Sequence, residues 1–279
     1  MSTNGAPGGE AWPGKDDEHR GGTVTEEPEV LWERRSRIRL MTLNRPAKRN
    51  AITLEGQLLQ SQYLQEFAAD DDAWALVVTG AGGVFSTGLD LSQAARAVGR
   101  TERPPGLTGH NPVQTWKPIL AAVAGYALGG GLELALACDI RIAARDARFG
   151  FPEVKRSLIP GAGGCQRLAR LVPRGTALRM LFTGDLIDAE EAYRIGLVEG
   201  IADGGSVLDE TLALAESICA NGPLAVRAVK ESVYRGIDLP LGAALVQDNL
   251  LAFRNRQTED AKEGPKAFLE RRDPEYKAR

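Results

Sequence analysis

The sequence predicts an α/β fold, and two kinds of segment carry that reading. Short, wholly apolar runs, ALVVT at Ala75–Thr79 and PILAAVA at Pro118–Ala124, have the length and composition of strands buried on both faces. Each empties into a glycine-rich loop, GAGGVFSTGLDL after the first and GYALGGG after the second, and the second loop opens a helix. After Gly196-Leu197-Val198 the pattern turns largely helical to the end. Recurring strand–loop–helix units predict parallel strands joined by right-handed crossovers. A chain of 279 residues suits one large α/β domain or one and a half.

The elements follow in order. Residues 1–25 are rich in Gly, Pro and charge with no periodicity, and a disordered tail is expected there. Val30-Leu31-Trp32 and Ile38–Leu43 predict a hairpin turning around Arg34–Ser36. The polar loop NRPAKRNAIT precedes a helix over Thr53–Ala69, with Thr53 as N-cap and Leu54, Leu58 and Leu64 on its apolar side. The segment from Ala94 to Thr115 is polar, holds Pro104-Pro105-Gly106, and is expected to be a mobile connection. A helix is predicted over Gly130–Cys138 and a returning strand over Ile140–Ala143. FGFPEVKRSLIPGAGGCQRL then supplies a strand edge, a loop and a new helix.

Composition excludes several classes of function. A net charge of -3 gives no electrostatic case for nucleic acid or an anionic membrane, and the short cluster Arg34-Arg35-Ser36-Arg37 fits a solvated face. Cys138, Cys165 and Cys219 form no CxxC pair, so reduced thiols and a cytoplasmic setting are expected, with Cys138 an inert core thiol. The N-terminus has no apolar stretch of the kind a secretory signal needs. The most apolar run, Ile119–Leu132, is shorter than the ~20 residues of a membrane span and runs into Glu133. His19 and His110 have no metal-ligand spacing. No metal, nucleic acid or membrane partner is expected.

The chemistry-bearing stretch is GYALGGGLELALACD. Gly129-Gly130-Gly131 at a helix start suits close approach of a ligand to free backbone N–H groups, although a tight strand-to-helix turn explains the glycines equally well. Glu133 stands in an otherwise apolar run, where a carboxylate is either at work or turned to solvent at the helix start. Glu153 follows in FGFPEV, after Pro152 and beside Phe149 and Phe151. Two glutamates in apolar settings form an acid–base pair if the fold joins them; a surface position after the proline is the alternative for Glu153. GxxxxGK[ST], a strand-to-helix GxGxxG and GxSxG are all absent, so phosphate cradling and an α/β-hydrolase nucleophile at Ser86 are not indicated.

KPILAAV followed by GYALGGGLELALACDI resembles the signature region of the enoyl-CoA hydratase/isomerase (crotonase) superfamily. The resemblance continues through LNRPAKRNAI, GVFSTGLDL, FGFPEVKRSLIPGAGG, LFTGDLIDAEEAYRIGLV and AFLERRDPEY, in the family's order from Val30 to Tyr276. It implies a spiral of ββα units over residues 26–203 and a helical region over 204–279 that builds trimers or paired trimers. It implies an acyl-CoA thioester substrate, with coenzyme A belonging to the substrate and no separate cofactor. The backbone N–H groups of Leu89 and Gly130 match the pair that polarises the thioester carbonyl, and Glu133 and Glu153 match the two hydratase glutamates. Lys48, Arg49 and Ala51 match one CoA-binding loop; Ser86, Gly88, Asp90 and Leu91 match another. Phe268 and Arg271 match a C-terminal pair that reaches the CoA of a neighbouring subunit, with arginine in place of the expected lysine. Phe151 stands where many hydratases carry glutamine, and Leu132 where cysteine is frequent.

The implied activity is hydration of a trans-2-enoyl-CoA to a 3-hydroxyacyl-CoA. An enoyl-CoA isomerase, a carnitinyl-CoA-type dehydratase and a non-catalytic acyl-CoA-binding protein remain as alternatives. Retention of both glutamates argues against the last.

Overall fold

The computed structural model describes residues 27–94, 104–108, 112–203 and 206–279. The expected N-terminal tail, both histidines and much of the connection between Ala94 and Thr115 lie outside the described residues.

Strand β1 (Val30–Arg35) pairs antiparallel with β2 (Ile38–Leu43), in register from Val30 opposite Leu43 to Arg35 opposite Ile38. The hairpin turn therefore falls at Ser36-Arg37, slightly later than the sequence suggests, with Ser36 left-handed at φ 52°. β3 (Ala75–Gly80), β4 (Ile119–Val123), β6 (Ile140–Ala143) and β9 (Gly200–Ile201) extend the sheet in the order β1-β2-β3-β4-β6-β9, every pairing beyond β2 being parallel. The expected parallel core is present.

A second sheet was not legible in the sequence. β5 (Tyr126–Leu128) pairs parallel with β7 (Arg148–Gly150), which pairs antiparallel with β8 (Ile187–Asp188). β5 lies inside GYALGGG, three residues that composition alone assigns to a turn. A further bridge joins Ser86 to Ala127, so this small sheet carries both glycine-rich loops.

Alternate side chains of the large sheet enter two cores, as the period of a strand requires. Leu76 and Val78 join Met41, Ile119, Ala121, Phe67 and Leu132 on one face. Ala75 and Val77 join Leu40, Leu120 and Ala122 under α7 (Val207–Cys219) on the other.

Helix α1 (Leu54–Ala69) starts as expected, the Thr53 hydroxyl accepting from the Gly56 N–H at 2.9 Å. Its apolar face is not the expected one. Leu54 and Leu58 are exposed, whereas Gly56, Gln60, Ser61, Leu64 and Phe67 are buried. Phe67 lies in the main core, and its position sets the rotation of the helix.

The chain ends in α8 (Pro223–Gly236), α9 (Leu241–Arg256) and α10 (Glu259–Glu270), each packed on the next. Lys230 ties α8 to the sheet through Asp139 at 2.7 Å and the Lys117 carbonyl at 2.9 Å. Among the described residues, no helix is long and apolar enough to cross a membrane.

Candidate active site

The site is built where β3 and β4 run out. After β3, the loop through Ser86 is stitched to β5 by Ser86 N–H to Tyr126 O at 2.8 Å and Leu128 N–H to Ser86 O at 3.0 Å. After β5 the chain turns at Gly129, with φ 52° and ψ -125°, directly into α3 (Gly130–Ala137). Glycine is required at three points here. A β-carbon on Gly131 would lie 2.4 Å from the Ser86 carbonyl oxygen. One on Gly88, at φ +90°, would lie 2.8 Å from Leu128 O and 2.9 Å from Gly130 N. One on Gly129 would lie 2.9 Å from Glu153 Oε1.

This packing sets two backbone donors side by side. Gly130 begins α3, so its N–H belongs to the first turn that has no intrahelical acceptor. Leu89 forms a parallel bridge with Ile52 in which Ile52 N–H donates to Gly88 O and Asp90 N–H donates to Ile52 O. The Leu89 N–H therefore faces away from Ile52, and Leu89 N lies close to Gly130: a β-carbon at Gly130 would lie 3.5 Å from it. Two neighbouring N–H groups can hold an oxygen that gains negative charge where both are turned to it.

Glu133 is not turned to solvent; it is only 3% exposed. Its Oε1 accepts from Ala162 N–H at 2.7 Å and from Gly164 N–H at 2.8 Å. Both donors belong to the loop entering α4 (Gly164–Leu171), bent at Gly163 with φ 108°. The bonds fix the carboxylate's rotamer and leave Oε2 for another partner.

Glu153 sits in the 3-10 turn Pro152–Arg156, half-buried, and its Oε2 is shielded from solvent with no hydrogen-bond partner among the described residues. Burial raises its pKa above the usual carboxylate value, the negative charge of Glu133 adds to the rise, and its own backbone N–H and Arg156 oppose it. The fold thus joins the two glutamates: one spoken for by backbone donors, one biased toward keeping a proton.

The residues matched to CoA contacts fall into distinct settings. Lys48 and Arg49 are exposed after the 3-10 turn Pro46–Lys48, and the Arg49 guanidinium lies 5.9 Å from the Tyr126 ring centroid. Ala51 is half-buried, its carbonyl accepting from Arg45 at 2.7 Å. Leu91 is exposed at the start of the short helix α2 (Leu91–Ala94). Ser86 is fully buried, and its hydroxyl donates to Asn50 O at 2.8 Å and accepts from Gly88 N–H at 3.1 Å. Asp90 accepts from the Ser92 hydroxyl at 2.6 Å and pairs with Arg45 at 3.1 Å; these partners hold its carboxyl below the usual range against the opposing effect of burial. Phe268 is 81% exposed on α10, and Arg271 caps that helix in the left-handed region at φ 54°. No hydrogen bond or ion pair joins either to the glutamates among the described residues.

One site residue was missed from the sequence. Arg167 on α4 donates from Nη1 to Ala162 O at 2.9 Å and from Nη2 to Leu107 O at 3.3 Å. Burial lowers its pKa, while the Glu133 charge acts against that shift. A β-carbon on Gly163 would lie 2.0 Å from Nη1, so Gly163 leaves room for the guanidinium. Nothing local distinguishes Arg167 from Arg170 in QRLAR; only the folded loop does.

Among the described residues, no group of His, Cys, Asp and Glu is arranged to hold a metal ion. The Cys138 thiol is pushed up to about 12 by burial.

Comparison with known proteins gives the family of the chain. The family model described as enoyl-CoA hydratase/isomerase matches residues 33–279. The chain is 39% identical over 252 residues to the (E)-benzylidenesuccinyl-CoA hydratase of Thauera aromatica, covering 89% of this chain and 98% of that protein. It is 38% identical over 255 residues to the 2,3-dehydroadipyl-CoA hydratase of Escherichia coli, covering 90% and 99%. The crystal structure of an enoyl-CoA hydratase from Mycobacterium tuberculosis superposes with a TM-score of 0.85 at 39% identity, over 91% of this chain and 100% of that one. With its two glutamates, its paired N–H donors and a match over most of its length, the chain belongs to the enoyl-CoA hydratase/isomerase family.

Proposed function

We propose that the protein is an enoyl-CoA hydratase, adding water across a trans-2-enoyl-CoA to give a 3-hydroxyacyl-CoA. The observation that carries this reading is the Glu133–Glu153 pair beside the Leu89 and Gly130 donors. The thioester oxygen lies between the two N–H groups, which stabilise the enolate as charge moves onto it; one such donor is typically worth ~100- to 1000-fold in rate. Glu133, held by Ala162 and Gly164, takes a proton from water through its remaining oxygen as the water oxygen bonds to C3. Glu153, whose surroundings favour the protonated form, delivers a proton to C2. The second turnover needs one proton to pass from Glu133 back to Glu153, directly or through water.

Lys48, Arg49 and Ala51 serve the CoA chain in this reading, with Gly88 and Leu91 lining its path. Ser86 and Asp90 act at one remove, Ser86 by holding Gly88 and Asp90 by holding Arg45. Coenzyme A arrives as part of the substrate and no other cofactor is invoked. The assembly is a trimer, alone or paired: Val229, Val233, Leu241, Val246 and Phe253 expose apolar surface on α8 and α9, and Phe268 stands ready for a neighbour's CoA. Three free thiols fit a cytoplasmic setting.

The test is hydration of crotonyl-CoA, followed as loss of enoyl-thioester absorbance. Turnover by the wild type is expected. A folded protein that binds acyl-CoA but turns over neither crotonyl-CoA nor longer enoyl-CoAs would overturn the reading.

A further inference from the structure

A cavity of about 490 Å³ lies at the opposite end of the parallel strands, where Lys117 leads into β4. Its size is within the ~300–1,000 Å³ range of small-molecule sites. Four charged side chains line it: Lys117, Arg227, Arg254 and Glu231. Glu231 is committed to Arg254 at 2.5 Å and to Arg235 at 3.2 Å. Removing the Arg254–Glu231 pair leaves Lys117 and Arg227, two cations without a carboxylate in the lining.

Arg227 is the anomaly. Its Nε and Nη2 are shielded from solvent, and neither has a hydrogen-bond partner among the described residues. Its nearest acidic influence is Asp71, an exposed side chain that forms no bond to it. Lys117 is better served, donating to Phe67 O at 2.7 Å and Asp70 O at 2.6 Å. Burial, and next the charge of Arg227, lower Lys117 to about 8. Buried donors on a charged group are costly unless something accepts from them. Asp70 and Asp71 offset part of the repulsion between the two cations, but neither carboxylate is within hydrogen-bond reach of Arg227, and water would bring no negative charge to it. Among the described residues, the other charged side chain with an orphaned buried atom is Glu153, at the proposed catalytic site.

We infer that this cavity is a second binding site, taking a small organic oxyanion through Nε and Nη2 of Arg227 with Lys117 as the second cation. Nε and Nη2 form one edge of the guanidinium fork, the edge that meets a carboxylate or phosphate with two parallel bonds. Trp116, Leu224 and Ala228 supply wall for a short apolar body behind the anionic group.

The experiment is calorimetric titration of the assembled protein, at constant ionic strength in chloride, with inorganic phosphate, with butyrate and with neutral butanamide. Phosphate or butyrate should bind and butanamide should not; whichever anion binds identifies the headgroup. Arg227→Met should weaken that binding roughly 10- to 100-fold. Arg227→Lys, which keeps the charge but not the fork, should fall between. Crotonyl-CoA turnover should be unchanged in both variants, which also shows that they fold. Absence of heat with both anions, equal binding by Arg227→Met, or binding of butanamide as strong as butyrate would each overturn the inference. So would a change in sedimentation of Arg227→Met, because a second copy of the chain would then be the occupant.

Discussion

Gly164 and Phe151 are packed so closely that a β-carbon at 164 would lie 2.7 Å from the Phe151 ring, and 2.9 Å from Pro160. The same Gly164 donates its N–H to Glu133. The fully buried phenylalanine beside Glu153 therefore presses the loop that holds the other glutamate. In Gly164→Ala the ring or the loop must move. Overpacking of this kind costs about 1–3 kcal/mol of stability. Crotonyl-CoA kinetics should show a fall in kcat of roughly 10-fold or more with KM little changed, since displacement of a catalytic group costs on that scale.

Glu133→Gln and Glu153→Gln should each lower kcat by about 100- to 10,000-fold, the usual worth of a positioned acid or base. The double variant should fall far short of the product of the two losses, because the pair acts as a unit. Normal double-bond isomerisation of an enoyl-CoA by Glu133→Gln, with hydration lost, would favour an isomerase, which can work with Glu153 alone.

Gly88→Ala should close the oxyanion hole. Its β-carbon would press on Gly130 N from 2.9 Å, at a φ of +90° that side-chain-bearing residues rarely adopt. A loss of ~100- to 1000-fold in kcat is expected, with Ser86→Ala milder because it removes only the hydroxyl that holds Gly88.

Arg167→Met should lower kcat more than it raises KM, and Arg167→Lys should restore part of the loss. The guanidinium binds the carbonyl of Ala162, whose N–H holds Glu133, and also reaches Leu107. A purely structural role would show as a lower melting temperature with kcat intact.

The raised pKa of Glu153 carries a sign for stability. Above the ordinary carboxyl value of 4.5 the unfolded chain loses this proton while the folded protein keeps it. The folded state then binds more protons, so this group's contribution to stability is full at low pH and declines as pH rises toward the folded pKa. Glu153→Gln removes the decline. The melting temperature of the variant relative to wild type should therefore climb as pH rises above 4.5; a gap that stays constant or shrinks would contradict the assignment.

Legibility varied with the range of the interactions involved. ALVVT and PILAAVA declare themselves because a strand buried on both faces must be apolar along its length. The start of α1 is equally plain, since Thr53 caps locally. The buried face of α1 is not, because Phe67 and its distant core partners decide it. β5 escaped notice for the same reason: its three residues are a strand only by pairing with β7. Within the site, the glutamates stood out as carboxylates among apolar neighbours. Their partners did not, because Ala162 and Gly164 act through backbone N–H groups and Arg167 binds carbonyls. Family resemblance puts Ser86 and Asp90 at the ligand, and their side chains bond to Asn50 and Gly88, and to Ser92 and Arg45, contacts no local pattern announces.

The two hydrogen bonds that hold Glu133 also make the protein its own spectrometer. The amide protons of Ala162 and Gly164 each end on the same carboxylate oxygen. Their chemical shifts must respond whenever that oxygen gains or loses a proton, or when a bound thioester draws the side chain away. Isotope labels on those two amides would follow the state of Glu133 through substrate binding and turnover, without altering a single atom of the site.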